Sequence, residues 1–594
     1  MIRDQGHAKK FPVRRGSAVL ALALAALPHA GAVETKVSGR ITFGSIHRVQ
    51  SQDPDLLTAI NAAAIGVTGY GSGGNADDAN TNYRRGDAAS RALKGFLELS
   101  AREGDFAALV RVKAWRDFGL LRDERPWGNS ANGYAASAPL SDRGADRLTR
   151  FSGVALSDAW LQYSLPVGAM RLTGKAGQQS LNWGDRSGTP GGLEALNPRD
   201  LPALHRAGAA PQEMKVPVPM LFARLDVTPR LGLEAYYQTR FRPTALDMCG
   251  TLWSMNDYMA EGCDKVMTGQ PQVSDRARVP LGAYQKRLPT VEPRAGEFGL
   301  GLTFKSQALA TDFGLYHAHY NSRTGMPGIR RSTRVGGPAL IAGDPDGRNM
   351  AYYIEYPEGL AITALTFAHK RDRTSLYGEL SYRPEAPFML APGDVIPPFL
   401  NANAPSLLRR RADAVAPGGL FRGFDLYAQS QAQLGVQHEW RAAGTAFSAS
   451  AEVVGKHVSS LPDQAVLRYG RADIMGVGPV NGVCTASTRL AERQCSLRGY
   501  VTANAWGYRL RLDARLPALL PQLAASASAI LAHDVKGWSG DFLLQEGRKT
   551  ANFALRFEYR QRYLAEFTYL PSWGGDYSPA ADRDTASFAV GVRF

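Results

Sequence analysis

Residues 69–82 read GYGSGGNADDANTN and contain two spacings that are typical of ligand sites. The glycines have the G-x-G-x-x-G spacing of a dinucleotide-binding turn, in which the backbone approaches a pyrophosphate closely. The acidic and amide residues after them have the D-x-N-x-N spacing that opens a calcium-binding loop. The residues concerned are Gly69, Gly71 and Gly74 in the first motif and Asp78, Asn80 and Asn82 in the second.

The surroundings of this stretch argue against both ligands. A dinucleotide site needs a strand before the glycines and a helix after them, whereas an alanine-rich run precedes these glycines and an Asn/Asp run follows. An EF-hand loop would need glycine and glutamate at two positions that hold Tyr83 and Ala89. We therefore predict that this stretch is a solvated loop that binds neither a cofactor nor a metal. The alternative is a looser calcium site. Its ligands would be Asp77, Asp78, Asn80 and Asn82.

Signatures of catalysis are absent from the sequence. Neither a G-x-S-x-G nucleophile motif nor an H-E-x-x-H zinc motif occurs. The sequence therefore predicts a protein that is not an enzyme.

The N-terminus predicts export. Five basic residues precede the apolar run Ala18 to Leu27, and Ala30-Gly31-Ala32 supplies the small residues that signal peptidase requires. We predict a signal peptide at 1–32 and a mature chain at 33–594. The net charge of +15 would suit nucleic acid, but an exported protein has little access to it.

Four cysteines fall in two local pairs, Cys249 with Cys263 and Cys484 with Cys495. Because export leads to an oxidising compartment, the simplest interpretation is two disulfides. Neither pair has the C-x-x-C spacing of a zinc site, so metal ligation by these thiols is the weaker interpretation.

After the signal peptide, no apolar run approaches the roughly 18 to 20 residues of a membrane-spanning helix. Strand patterns are frequent instead. In NFALRFEYRQRYLAEFTYL and in the terminal TASFAVGVRF, apolar residues alternate with polar ones at the period of a β-strand. Aromatic side chains fill one face and ionic side chains the other, as in a barrel with lipid outside and a wet lumen inside.

Counting such segments gives an all-β, antiparallel up-and-down transmembrane barrel of the outer-membrane type with about 18 strands, or about 16 or 20 if one hairpin is missed or invented. Short periplasmic turns alternate with long extracellular loops rich in Gly, Pro, Asn and Asp. Both cysteine pairs fall in long loops. The expected location is the bacterial outer membrane.

The alternation also predicts which ionic residues line the lumen. Two interpretations stay open: rings of arginine attract anions or amphipaths with an acidic head, or the charges pair across strands and keep the lumen hydrated. The candidate pore-lining residues are Arg509, Arg511, Asp513, Arg515, Glu379, Arg383, Arg556 and Glu558.

Two longer segments are too structured for plain loops. Residues 183–219 contain short helical turns between glycines and prolines, and residues 352–360 are apolar and acidic. Either segment folds into the barrel as a constriction or forms an extracellular cap. The constriction candidates are Trp183, Asp185, Asn197 and Asp200.

Several motifs in order resemble one family. NADDANTNYRRGD, NWGD followed by NPRD, CGTLWSMNDYMAEGCD, YPEGL and GELSYRPEAPF are similar to the proteobacterial outer-membrane family catalogued as the domain of unknown function numbered thirteen-oh-two. The resemblance spans nearly the whole mature chain, although Asp185 stands where glutamate is common. It implies an outer-membrane barrel that moves hydrophobic compounds, partnered by a periplasmic or outer-membrane lipoprotein and an inner-membrane transporter.

The function predicted from these observations is a passive, porin-like outer-membrane channel for hydrophobic or amphipathic small molecules, anionic ones among them. The solute would pass the outer loops, meet the constriction formed by residues 183–219 and exit through the basic lumen, and the barrel itself would lie in outer-membrane lipid. The alternatives are a plugged barrel for surface binding or adhesion and, less favoured, an outer-membrane hydrolase.

Overall fold

The alternating segments of the sequence form the strands that they predict, because period-two alternation places every apolar side chain on one face. The computed structural model describes residues 33–184, 189–294, 296–484 and 490–594, and the predicted signal peptide lies outside them. The barrel strands are β1 (Glu34–Arg48), β2 (Ala88–Glu103), β3 (Phe106–Asp117), β4 (Ser152–Val167), β5 (Met170–Gln179), β6 (Val218–Asp226), β7 (Leu231–Gln238), β8 (Glu297–Ser306), β9 (Thr311–Tyr320), β10 (Leu360–Arg371), β11 (Thr374–Met389), β12 (Phe424–Ala442), β13 (Thr445–Val458), β14 (Asn504–Leu520), β15 (Leu523–Lys536), β16 (Lys549–Tyr559), β17 (Tyr563–Leu570) and β18 (Thr585–Arg593).

Each strand pairs antiparallel with the next along the chain, from β1 with β2 to β17 with β18. The sheet then closes on itself, because β1 pairs with β18 from Arg40 opposite Arg593 to Arg48 opposite Thr585. Closure removes the free edges that a membrane-embedded sheet has to avoid. The predicted antiparallel barrel and its strand number are confirmed.

Connections of two kinds alternate. At one end, the periplasmic end, short turns join the strands; at the other, nine longer excursions follow β1, β3, β5, β7, β9, β11, β13, β15 and β17. We call these excursions outer loops 1 (49–87), 2 (118–151), 3 (180–217), 4 (239–296), 5 (321–359), 6 (390–423), 7 (459–503), 8 (537–548) and 9 (571–584).

The outer face of the barrel is apolar. Leu300, Leu380 and Phe588 are 64%, 54% and 54% exposed although they lie in the middle of paired strands. Exposed apolar side chains at alternate positions of a closed barrel form the lipid-facing belt of a transmembrane barrel, and the polar residues between them point inward.

Helices are short and lie in the outer loops. No helix of the described chain is long and apolar enough to cross a bilayer. The α-helices are Ala59–Ala64, Asp78–Asn82, Phe118–Arg122, Leu201–Leu204, Pro211–Met214, Asp275–Leu281, Pro392–Val395, Pro397–Leu400, Arg409–Asp413 and Ala491–Gln494, and the 3-10 helices are Pro54–Leu56, Ser130–Asn132, Gly192–Leu196 and Asp473–Met475.

Most outer loops pack on one another as an outer cap with its own apolar core. Val266, Ile329, Phe399 and Tyr469 come from outer loops 4, 5, 6 and 7 and are buried together. Small sheets brace the cap: Ala351–Glu355 pairs with Met326–Arg330, which pairs with Leu420–Phe421, and Lys265–Met267 pairs with Tyr284–Lys286. Ser572–Trp573 extends the barrel sheet beside β16. Of the two structured segments, 352–360 therefore belongs to the cap.

Candidate functional site

Outer loop 3 enters the barrel and also contacts the cap, where Ala245 N of outer loop 4 donates to Arg199 O at 2.8 Å and Arg323 Nε of outer loop 5 donates to Leu196 O at 2.9 Å. Near its start, Trp183 Nε1 donates a hydrogen bond of 2.7 Å to Glu234 Oε2 of β7, and its ring packs against Tyr236 and Tyr316. Leu193 N then donates to Glu379 Oε1 of β11 at 2.9 Å. The first half of the loop is thus fixed to the inner wall of β7, β9 and β11.

The second half of outer loop 3 is fixed to a different wall. Lys113 Nζ of β3 lies 2.5 Å from Asp200 Oδ2 and donates to Glu213 O at 2.9 Å. The Glu213 carboxylate pairs with Arg40 of β1 at 2.5 Å and with Lys94 of β2 at 3.2 Å. Because its anchors lie on β7 to β11 and on β1 to β3, the loop crosses the lumen.

Local sequence explains this course. Gly192 has a φ of +55°, and a Cβ added at this residue would overlap Glu379 Oε1. Asp200 caps the helix Leu201–Leu204 by accepting from Ala203 N at 2.9 Å. Pro211 occupies the first turn of the next helix, where no backbone donor is needed.

The constriction candidates that the structure describes are buried anchors of this loop. Trp183 and Asp200 make the wall contacts given above. The Asn197 amide accepts from Leu181 N at 2.9 Å and donates to Leu181 O at 2.8 Å, which holds the loop together near its start. Asp185 lies outside the described residues. The surface of outer loop 3 that borders the lumen is instead lined by Leu204, Arg206, Ala207 and Met214, of which Leu204 is exposed and Arg206 and Ala207 are largely buried.

Beneath this surface, a chamber of about 1130 Å³ extends toward the periplasmic end. Its walls are the inner faces of β12 to β17. We call it the arginine chamber because arginines dominate its ionic lining. The ionic residues that line it are Arg206, Arg373, Arg441, Arg511, Arg515 and Arg556, with Glu439, Asp513 and Glu566.

Some of these charges neutralise one another and some do not. Arg511 pairs with Asp513 at 2.6 Å, and Arg556 pairs with Glu566. Within the described chain, Arg373, Arg441 and Arg515 form no ion pair. The other four chamber arginines include Arg206, which also forms no ion pair among the described residues. Both interpretations of the basic lumen stay predictions.

The remaining pore-lining candidates have different contacts. Arg509 donates to Thr189 Oγ1 at 3.1 Å and Arg383 donates to Gly192 O at 2.9 Å, so both hold outer loop 3, as Glu379 does. Glu558 pairs with Arg593 at 3.0 Å near the periplasmic end. Of the predicted set, Arg511, Asp513, Arg515 and Arg556 line the arginine chamber.

Sequence reasoning missed three chamber arginines. Arg441 continues the inward-facing series of Gln437 and Glu439 in β12, so the alternation of that strand would have found it. Arg206 and Arg373 carry no such signal, because one lies in outer loop 3 and the other in a turn.

The calcium candidates separate into two groups. Asp77 and Asp78 lie with Asp257 of outer loop 4, within 4.8 Å of one another. Asn80 Oδ1 instead accepts from Arg48 Nη1 at 2.9 Å. Asn82 Oδ1 accepts from Gly128 N at 2.9 Å. The two amide side chains therefore bind other groups. The two aspartates lie beside Asp257, which was not among the predicted calcium ligands.

Burial sets the acidity of this cluster. Desolvation, with the nearby charge of Asp275, raises the pKa of Asp77 to about 8. Desolvation and the neighbouring carboxylates raise the pKa values of Asp78 and Asp257 well above their usual range. Desolvation raises the pKa of Asp275 to about 6 against the opposing effect of Arg278.

Both predicted disulfides are present, Cys249–Cys263 in outer loop 4 and Cys484–Cys495 in outer loop 7.

The family model described as "Protein of unknown function (DUF1302)" matches residues 13–594. The chain belongs to that family. The family resemblance is thereby confirmed, and the family description itself assigns no function. No curated protein is significantly similar in sequence to this chain.

Several solved porin structures share a similar course. Pseudomonas aeruginosa OpdK, crystallised with vanillate, has a TM-score of 0.37 and 10% identity over 94% of this chain and 98% of that chain. A BenF-like porin from Pseudomonas fluorescens Pf-5 has a TM-score of 0.40 and 8% identity over 95% and 98%. Acinetobacter baumannii OccAB1 has a TM-score of 0.40 and 11% identity over 94% and 96%.

Proposed function

We propose that this protein is a passive outer-membrane channel for small anionic or amphipathic molecules. The observation that carries the proposal is the arginine chamber beneath outer loop 3, in which Arg373, Arg441 and Arg515 have no acidic partner among the described residues. A positive potential inside a low-dielectric wall concentrates anions and raises their rate of association. Periplasmic turns, outer loops and a lipid-facing belt support the location in the outer membrane.

Amphipathic solutes fit the same chamber. Leu204, Met214 and Ile530 line it together with the arginines, and Leu204 is 47% exposed toward open space. An acidic head would meet the guanidiniums while an apolar body would rest on these side chains. The lipoprotein and inner-membrane transporter stay predictions from the family resemblance.

Ion current through the refolded full chain in planar bilayers tests this function. We expect a current with anion preference, and we expect an anionic amphipath such as a short-chain fatty acid to block it more than a neutral alcohol of equal length. Persistent absence of current, or cation preference, would contradict the channel.

One observation favours a second candidate, a plugged binding barrel. The outer cap has a core of its own, with Tyr352, Leu390 and Leu408 each 1% exposed, which is more packing than mobile loops need. A barrel of this kind would bind a surface ligand and remain silent in bilayers. The two functions therefore predict opposite outcomes of the same measurement.

A further inference from the structure

Three carboxylates meet in the outer cap, and within the described chain no lysine or arginine pairs with them. Asp77 and Asp78 of outer loop 1 and Asp257 of outer loop 4 each offer an oxygen, and these oxygens lie within 4.8 Å of one another. All three residues are buried, with exposed fractions of 0%, 0% and 2%. Charges removed from water in this way are expensive unless an opposite charge accompanies them.

The hydrogen bonds show that Asp77 and Asp78 act as acceptors. Asp77 Oδ2 accepts from Thr58 N at 3.0 Å, and Asp77 Oδ1 accepts from Asn61 Nδ2 at 3.0 Å. Asp78 Oδ1 accepts from Trp127 Nε1 at 2.8 Å, and Asp78 Oδ2 accepts from Tyr134 Oη at 3.0 Å. An ionised carboxylate accepts at both oxygens, as these two do.

Asp257 supplies the independent observation. Its Oδ1 is buried and has no hydrogen-bond partner in the part of the chain that the structure describes, while its Oδ2 is 3.4 Å from Asp78 N. The hydrogen bonds that these three carboxyl groups accept come from Thr58, Asn61, Trp127, Tyr134 and the backbone N of Asp78. A buried carboxyl oxygen without a hydrogen-bond partner thus lies beside two further carboxyl groups, an arrangement that a positive ligand would satisfy.

Two protein cations near the cluster, Arg278 and Arg583, have their nearest carboxylates outside it, and Arg583 Nε and Nη1 have no hydrogen-bond partner in the described chain. Arg278 pairs with Asp275 at 3.0 Å, and Arg583 lies 3.5 Å from Asp582. No ion pair of the described residues joins Lys, Arg or His to Asp77, Asp78 or Asp257, although Arg583 attracts Asp257 at longer range. Asp275 and Asp473 add further negative potential from outer loops 4 and 7.

We propose that Asp77, Asp78 and Asp257 bind one divalent cation, Ca²⁺ in preference to Mg²⁺, that ties outer loop 1 to outer loop 4. Two oxygens that each lie about 2.4 Å from one Ca²⁺ are at most about 4.8 Å apart, which these oxygens satisfy. Mg²⁺ requires near-ideal octahedral geometry and retains several waters, which a site buried this completely does not favour.

Two aromatic side chains beside the proposed site allow ion binding to be measured by luminescence. Trp127 and Tyr134 donate directly to Asp78, so both rings lie next to the proposed ion. Tb³⁺ replaces Ca²⁺ in oxygen sites and emits when a neighbouring aromatic ring transfers energy to it. Tryptophan excitation of bound Tb³⁺ therefore reports occupancy of this site in particular.

The test uses the full chain folded in detergent and stripped of metal with a chelator. We expect saturable Tb³⁺ emission from a single site, displaced by Ca²⁺ but not by Mg²⁺ at the same concentration. Asp257→Asn should weaken the affinity roughly 10-fold or more, since a lost outer-shell partner alone has that effect. The matched control is Asp346→Asn, an exposed carboxylate of outer loop 5 that pairs with Arg334 and should leave binding unchanged.

Calorimetric titration of the unmodified chain with Ca²⁺ keeps the proposal falsifiable if Asp257→Asn does not fold. Saturable uptake near one ion per chain, with emission dimmed in Trp127→Phe, supports the site. No uptake by the folded chain overturns it, and so does equal affinity in folded Asp257→Asn. Ion conductance is not part of either readout, so failure here leaves the channel proposal untouched.

Discussion

Lys113 of β3 and Asp200 of outer loop 3 form a buried ion pair at the lumen wall, with 2.5 Å between Nζ and Oδ2. The pair lies on a different wall from the other anchor of the loop, where Leu193 N donates to Glu379. Loss of one partner from a buried pair leaves an uncompensated charge and costs about 3–5 kcal/mol. The contact therefore holds the inserted loop across the lumen.

Replacing Lys113 should open the lumen. We expect Lys113→Met to increase the size and the fluctuation of single-channel current, because a released outer loop 3 no longer crosses the pore. Bilayer recording and the thermal midpoint measure the two effects. Arg171→Gln is the control, since Arg171 pairs with Asp105 near the periplasmic turns in an exposed position. Equal current in Lys113→Met and the unmodified chain would show that the pair does not restrain the loop.

Anion preference should depend on the unpaired arginines of the chamber. Arg441→Gln combined with Arg515→Gln removes two charges that have no acidic partner within the described ranges. The reversal potential in a salt gradient should therefore move toward zero, the value of a pore that does not select between anions and cations. Arg85→Gln combined with Arg410→Gln removes two exposed charges of the outer loops and should shift it less. A larger shift from the loop pair would place the selectivity in the cap.

The acidic cluster gives the outer cap a pH dependence in the absence of divalent cations. The pKa values of Asp77 and Asp275 are about 8 and about 6 in the folded chain against an ordinary value of 3.8. The folded state thus binds more protons than the unfolded state, and stability falls as pH rises from 3.8 toward about 8. The near-ultraviolet circular dichroism of the cap in chelator should melt at lower temperature at pH 8 than at pH 5.

Millimolar Ca²⁺ is the control for this pH series. A bound cation replaces the protons, so the midpoint at high pH should recover while that at low pH changes little. Asp257→Asn should flatten the slope in chelator, because one repelling carboxylate is gone. A midpoint that rises with pH in chelator would have the wrong sign for raised carboxyl pKa values.

The barrel could be predicted from the sequence because strand pairing there is local. Consecutive strands are joined by short turns, and the alternation of Phe553, Leu555 and Phe557 with Ala554 and Arg556 fixes which face meets lipid. The inward direction of Arg511 and Glu379 followed from the same rule. Short turns and alternation are properties of a few neighbouring residues, so one chain suffices to detect them.

The contacts of the outer loops could not be predicted in this way. Leu193 meets Glu379 across 186 positions, and Asp78 meets Asp257 across 179. The spacing of neighbouring residues carries no information about such distant pairs. The glycines and prolines of outer loop 3 therefore predict a structured segment but do not predict which barrel strands it contacts. The surroundings of the calcium motif could not be predicted for the same reason: its aspartates lie beside Asp257 of a distant loop, and its amides contact other groups, such as Gly128 N.

The disulfide of outer loop 4 should support the proposed cation site. Cys249 and Cys263 close a loop that contains Asp257, and a cross-link of about 15 residues removes roughly 3 kcal/mol of unfolded-state entropy. We expect the pair of substitutions Cys249→Ser and Cys263→Ser to lower Tb³⁺ affinity. The matched control replaces Cys484 and Cys495, whose disulfide encloses none of the three carboxylates. Equal losses in both double variants would indicate general loosening of the cap.

Gly192 tests whether the course of outer loop 3 narrows the pore. A Cβ at this residue would overlap Glu379 Oε1, so Gly192→Ala should push the loop off β11 and increase single-channel current. Gly168→Ala is the matched control, because Gly168 also has a positive φ but lies in a periplasmic turn, where no atom of the described residues would come within 4 Å of an added Cβ. Both variants carry about 1–2 kcal/mol of left-handed strain, and only one carries the clash. Equal currents in the two variants would mean that contact with Glu379 does not set the pore width.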